Sequence, residues 1–174
     1  MRRSSGDDGV VVIEFALVLP ILLMLILGLV SGATAWNQNL AIGHGARVAG
    51  RQASTVPLPT TVDAVTMAVW LDAVADRTIA ASEGALDDGV DGRTVCVAYV
   101  DPKGAAPDVV YQRTVPAAGA RTSASTPCAP VDATADRQIQ VVVARGGVLD
   151  TGIYRYPLSL RRTAVYRFEA FVEL

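Results

Sequence analysis

Apolar positions are unevenly distributed along this chain. From Gly9 to Val30 they form one run, GVVVIEFALVLPILLMLILGLV, interrupted only by Glu14 and Pro20 among charged residues and prolines. A helix rising about 1.5 Å per residue covers roughly 30 Å over this run, which is the hydrocarbon thickness of a bilayer. A core helix of a small soluble domain carries a polar face, and this run has none. The pattern predicts a membrane-spanning helix. Ser31 to Ala53 contains no proline, and Trp36, Leu40, Gly43, Ala46, Gly50 and Ala53 recur at helical steps along one face. The helix is therefore expected to continue as an amphipathic segment lying on an outer domain. Gly32, Gly43, Gly45 and Gly50 each weaken it by up to about 1 kcal/mol, so a bend or fraying is expected beyond the membrane.

Val56-Pro57-Leu58-Pro59-Thr60 reads as a linker, because closely spaced prolines end a helix and favour an extended path. A second helix is expected over Val62 to Ala81, with Ala64, Met67, Ala68, Leu71, Ala75 and Ile79 on its apolar face. Val69 and Trp70 fall outside that stripe, through ordinary burial or a second contact. Glu83 to Gly92 is a turn-rich connector. Strands are expected at Thr94–Val100, Val109–Val115 and Gln138–Ala144, the last running into a turn at Gly146-Gly147. Gly119 to Pro130 reads as an exposed loop. In the final segment Leu158, Leu160, Ala164, Tyr166, Phe168, Ala170 and Val172 share one face, opposite Ser159, Arg161, Thr163, Arg167, Glu169 and Glu173. The fold class that follows is α+β: an N-terminal transmembrane helix continuing into an amphipathic helix, then a second helix packed on a small antiparallel sheet.

Glu14 is the feature a plain anchor does not need. An ionised carboxylate costs roughly 2.5–3.5 kcal/mol at the bilayer centre and less towards its edge. Glu14 sits one turn inside the run, where it either snorkels to the interface or meets a positive partner in an assembled state. Gly9, the apolar Val10-Val11-Val12-Ile13, then Glu14-Phe15 and an apolar run resembles the start of type IV prepilins. More closely, Glu14 to Pro20 (EFALVLP) followed by Gly45 to Gly50 (GARVAG) is similar to the TadE-like family, the minor pseudopilins of tight-adherence (Flp-type) pilus systems. The resemblance covers Gly9 to Ala53. Asp7 and Asp8 depart from the basic residues usual in such leaders, and Gly43-His44 from the charged residues usual before Gly45.

The resemblance implies a leader over residues 1–9, an assembly helix over 10–30 and an extracytoplasmic domain of pilin-like plan over 31–174. It implies cleavage after Gly9 by a prepilin peptidase, with Val10 as the new amino terminus. Glu14 would then meet a neighbouring subunit's terminal amine, and Phe15 and Pro20 would belong to the same assembly helix. The implied partners are the bilayer, the peptidase and other pilus assembly subunits: pilin, pseudopilins and the inner-membrane platform. The implied location is the bacterial cytoplasmic membrane, single-pass, with possible association with the pilus itself.

Charge sets the expected orientation. Arg2 and Arg3 precede the run and no lysine or arginine follows it until Arg47, which places the amino terminus in the cytoplasm and the rest outside. A cleavable secretory signal ending at Ala33-Thr34-Ala35, before Trp36, is a competing reading. The run is too long for a signal core and contains Glu14. Cys96 and Cys128 both fall in the outer segment, where an even pair most simply forms one disulfide; two free thiols or pairing with another chain are the alternatives.

The 174 residues carry a formal net charge of −2 and only one lysine, Lys103, so nothing suggests nucleic acid. About 140 residues outside the run suit one small domain. The single histidine, His44, has no sequence-evident partners for catalysis or metal binding. Asp87, Asp88 and Asp91 raise calcium, but the third position of such a loop is Gly89 and the twelfth is Ala98, so a solvated turn fits better. No nucleophile elbow, phosphate loop or dinucleotide fingerprint occurs. Arg161, Arg162 and Arg167 read as a solvated sheet edge. The expectation is a protein that is not an enzyme and takes no cofactor or metal: a minor pseudopilin, or alternatively an unprocessed tethered domain binding a ligand or envelope component.

Overall fold

The computed structural model describes residues 7–102, 109–131 and 136–168. Arg2, Arg3 and Lys103, and the end of the last alternating segment (Glu169, Ala170, Val172, Glu173), lie outside these. The element order is α1 (Asp7–Thr55), α2 (Ala64–Ala80), β1 (Thr94–Asp101), β2 (Val109–Pro116), β3 (Thr122–Ala124), β4 (Gln138–Asp150) and β5 (Arg155–Arg167). The five strands form one antiparallel sheet in the order β3-β2-β1-β4-β5. Two compact units emerge: residues 1–36 with 148–158, and residues 37–147 with 159–174.

In the larger unit the second half of α1 supplies Ile42, Ala46, Ala49 and Ala53 to a core shared with Met67, Leu71, Val74 and Ala75 of α2. The sheet closes it with Val95, Val97 and Tyr99 of β1, Ile139, Val141 and Val143 of β4, and Ala164 of β5. Strand residues alternate between faces, so these odd positions of β1 and β4 point to the helices together. The register keeps them level, with Val95 opposite Val143 and Val97 opposite Val141. Trp70 is half-buried against this core and stacks near Phe168, ring centroids 6.3 Å apart, so ordinary burial accounts for it. Val69 is exposed.

Four expectations need correction. First, α1 does not fray at its glycines. Gly43, Gly45 and Gly50 are buried, and two of them sit where no Cβ fits: one built on Gly45 would lie 2.6 Å from the Thr78 carbonyl oxygen, and one on Gly50 2.7 Å from the Tyr166 ring. The close approach these glycines permit offsets their helix penalty. Trp36 and Leu40, placed on the same face by periodicity, are exposed; the side chains that α1 buries in the core cluster begin at Ile42. Second, α2 starts two residues later than periodicity suggests. Asp63 caps it, its carboxylate accepting from the Val65 and Thr66 N–H groups at 2.9 and 2.8 Å.

Third, Gly146-Gly147 is not a turn. β4 runs through both glycines to Asp150, and the chain reverses at 151–154. The Gly146 N–H donates to the Asp91 carbonyl at 2.7 Å, and a Cβ there would stand 3.0 Å from that oxygen. The glycine admits the neighbouring connector rather than bending its own strand. That connector is more than a solvated turn: Leu86 is fully buried, and the nearly buried Arg93 donates to the Leu86 and Pro116 carbonyls at 2.8 and 2.6 Å. Fourth, the loop after β2 contains β3, which pairs with Gln112–Thr114 at the sheet edge.

Cys96 and Cys128 form a disulfide, Cα atoms 5.9 Å apart. It draws the segment after β3, residues 125–131, across the sheet face turned away from the helices, where the Ala129 N–H donates to the Gln140 amide oxygen at 2.9 Å. The centre of the sheet is consequently buried on both sides: Ala98, Val100 and Gln140 have no exposure. A strap in a Ser/Thr/Pro-rich segment has no hydrophobic periodicity by which to announce itself.

Candidate functional site

The residues singled out for function lie on the first half of α1. Its large apolar side chains from Val10 to Val30 are all exposed, from 38% at Leu19 to 74% at Leu29. Such a surface, continuous around a helix, far exceeds what a monomer leaves in water. It suits lipid, where the helix satisfies its own backbone and presents only hydrocarbon outward. By length and composition this helix is able to cross a membrane.

Gly9, Val10, Glu14 and Phe15 occupy the first turns of α1 and are exposed. No described residue hydrogen-bonds or ion-pairs with Glu14. Pro20 lies inside the helix without ending it. Having no N–H, it leaves the Ala16 carbonyl without its usual helical donor. The structure does not gather these residues into a pocket; it strings them along one rod. His44 is exposed between the buried Gly43 and Gly45. Among the described residues there is no group of His, Cys, Asp or Glu able to hold a metal ion.

One polar cluster went unrecognised in the sequence. Asp72 of α2 accepts two hydrogen bonds from Arg113 of β2, at 2.8 and 3.1 Å, and lies 3.2 Å from Arg121. Asp76, one turn on, pairs with Arg121 at 2.6 Å. Partial burial works against ionisation of Asp72, but hydrogen bonds from Arg113 and Arg121, and their charges, outweigh it and hold the pKa below the usual value. The only sequence signal was a pair of aspartates one helical turn apart; their arginines come from β2 and from the loop before β3, 41 and 45 positions away. The cluster clamps α2 to the sheet edge. A folded-state pKa below the unfolded one gives stability that is present above the unfolded value, near 3.9, and lost as pH falls through the folded value. Asp72→Asn is expected to cost roughly 1–2 kcal/mol at neutral pH, discounted for partial exposure. It should also flatten the loss of stability below about pH 4. Denaturation curves of the two proteins across pH 2–7 (roughly spanning both states of a carboxyl) check this.

No curated protein and no solved structure matches the chain. The match found is to a protein family, and it covers residues 9–51, about a quarter of the chain. That stretch holds Gly9, Glu14, Phe15, Pro20 and the close-approach glycines Gly45 and Gly50, and over it the sequence matches the family described as TadE-like protein.

Proposed function

We propose that this chain is a membrane-anchored, non-enzymatic, pseudopilin-like subunit in the assembly of a tight-adherence (Flp-type) pilus or a related secretion system. The observation that carries the reading is one unbroken helix with two characters. From Gly9 to Val30 it is apolar and exposed, with a single charge at Glu14; its second half is built into the core of a disulfide-closed α+β domain. The TadE-like match over the same helix supports it.

In this reading the amino terminus is cytoplasmic and the domain lies outside, following the arginine asymmetry. A prepilin peptidase cleaves after Gly9 and leaves an ammonium on Val10. That ammonium and the Glu14 carboxylate of a neighbouring subunit are both poorly solvated at the membrane edge. Each gains more from pairing with the other than it keeps alone. Pilin, other pseudopilins and the inner-membrane platform are the partners, and Phe15 and Pro20 shape the packing surface.

The mature protein from its own host is expected to begin at Val10. A start at Met1 would leave an unprocessed tethered domain, and a start at Trp36 a secreted one. Glu14→Ala is expected to abolish pilus formation while leaving membrane insertion and the Cys96–Cys128 bond intact. Normal piliation in that variant would remove the role given to the carboxylate.

A further inference from the structure

We propose that the tip of the β4–β5 hairpin, residues 148–156, is a second membrane contact, seated in the headgroup interface at the carboxyl end of the apolar run. The inference rests on the reading that Gly9–Val30 spans the bilayer. Within the smaller unit the hairpin tip is fixed against one turn of α1. The Asp150 N–H donates to Ser31 Oγ at 2.7 Å. A Cβ on Gly152 would stand 2.8 Å from Leu27 Cδ1, and one on Gly28 would stand 4.0 Å from Thr151 Cγ2. The tip is thus level with residues 27–31. A run of this length fills the hydrocarbon core, so its last turn lies where acyl chains give way to headgroups.

What the tip presents there suits that boundary. Val148, Ile153, Tyr154 and Tyr156 are 54, 62, 75 and 66% exposed. Among the described residues, every exposed aromatic belongs to this unit: Phe15, Trp36, Tyr154 and Tyr156. The other tyrosines, Trp70 and Phe168 are buried or half-buried. Tyrosine and tryptophan favour the membrane interface, with the ring among acyl chains and the polar edge in water. Exposed large apolar residues of the larger unit are aliphatic, chiefly valines. Arg155, largely exposed and paired with Asp150 at 2.8 Å, stands on a stem long enough to reach lipid phosphates. The turn is held in shape by the Asp150 carboxylate, which accepts from the Gly152 N–H at 2.8 Å. Lipid contact therefore requires no rearrangement of the hairpin.

The test places an environment-sensitive fluorophore on a single introduced cysteine in the full chain, whose own cysteines are bonded to each other. The sites are Ile153→Cys, Leu22→Cys in the apolar run and Val65→Cys on α2. The protein is reconstituted in phosphatidylcholine–phosphatidylglycerol vesicles carrying nitroxide either near the headgroup or near the chain end. The label at 153 should emit to the blue of the label at 65 and be quenched more by the shallow nitroxide than by the deep one. The label at 22 should be quenched most by the deep one. A label at 153 that behaves like that at 65, with the label at 22 still quenched, overturns the inference and leaves the membrane reading standing. Loss of quenching at 22 overturns both. If the label at 153 is unquenched in these vesicles yet shielded from water in native membranes, the tip contacts a protein instead, and the inference fails.

Discussion

Replacing Cys96 and Cys128 together by alanine is expected to lower the stability of the outer domain by about 3.7 kcal/mol, the chain-entropy value for a loop of this size. The bond joins residues separated by 32 positions in sequence. Small domains hold about 5–15 kcal/mol in total, so this is a large fraction. The melting temperature should fall by roughly 10 °C for a domain of this size. Part of the effect is entropic and part local. Without the bond, the 125–131 strap is held across the sheet by weaker links, among them the Ala129–Gln140 hydrogen bond and the Thr126 hydroxyl donating to the Gln112 amide oxygen at 2.9 Å. Releasing the strap exposes Ala98, Val142 and Gln140 of the sheet centre. Chemical denaturation of the full chain in detergent, oxidised and double-alanine forms side by side, gives the difference directly. A loss below about 1 kcal/mol would mean that the strap stays in place without the bond.

Gly45→Val is expected to be comparably damaging, by roughly 3 kcal/mol, through overpacking rather than chain entropy. The added Cβ would meet the Thr78 carbonyl at 2.6 Å, Ser82 Cβ at 3.2 Å and the Ser82 N at 3.3 Å. Two of these are backbone atoms at the end of α2, which cannot rotate away as a side chain can. Relief would require α1 and α2 to separate, opening the contact that buries Ile42 against Leu71 and its neighbours. Gly32→Ala is the matched control. A Cβ at Gly32 meets nothing within 4 Å, so the substitution should be neutral or stabilise by up to about 1 kcal/mol through helix propensity alone. Gly50→Ala should fall between the two, because the Tyr166 ring it meets at 2.7 Å has some freedom to move. If all three variants melted alike, close approach at Gly45 would not be the reason for the glycine. Denaturation midpoints of the full-length variants provide the measurement.

The TadE-like match stops at residue 51, and the contrast between these two predictions follows that boundary. Gly45 lies inside the match and its partners on α2 lie outside it. The disulfide and its strap are wholly outside. What the family resemblance explains is therefore the helix and the surface it offers, while the domain built on that helix has to be understood from its own contacts.

The sequence by itself determined the elements whose cause is local. The apolar run from Gly9 to Val30 required a membrane-length helix because no side chain in it could face water at length. The alternation from Leu158 to Phe168 placed Leu160, Ala164 and Tyr166 on the core side of β5, because a strand turns successive side chains to opposite faces. Glu14, Gly9 and Pro20 were conspicuous because each conflicts with an otherwise uniform run. Tertiary structure alone decided what depended on a partner distant in sequence. Gly146 looked like a turn and is a strand residue giving room to Asp91. Gly45 and Gly50 of α1 looked like weak points and are contact points. Asp72 and Asp76 stand one helical turn apart on α2 and clamp Arg113 of β2 and Arg121 of the loop before β3. The hairpin tip gave no periodic signal, yet it is held beside the last turn of the membrane run by Ser31 and Asp150. In each case the deciding energy is a contact between residues tens of positions apart, and local patterns carry no record of which distant groups will meet.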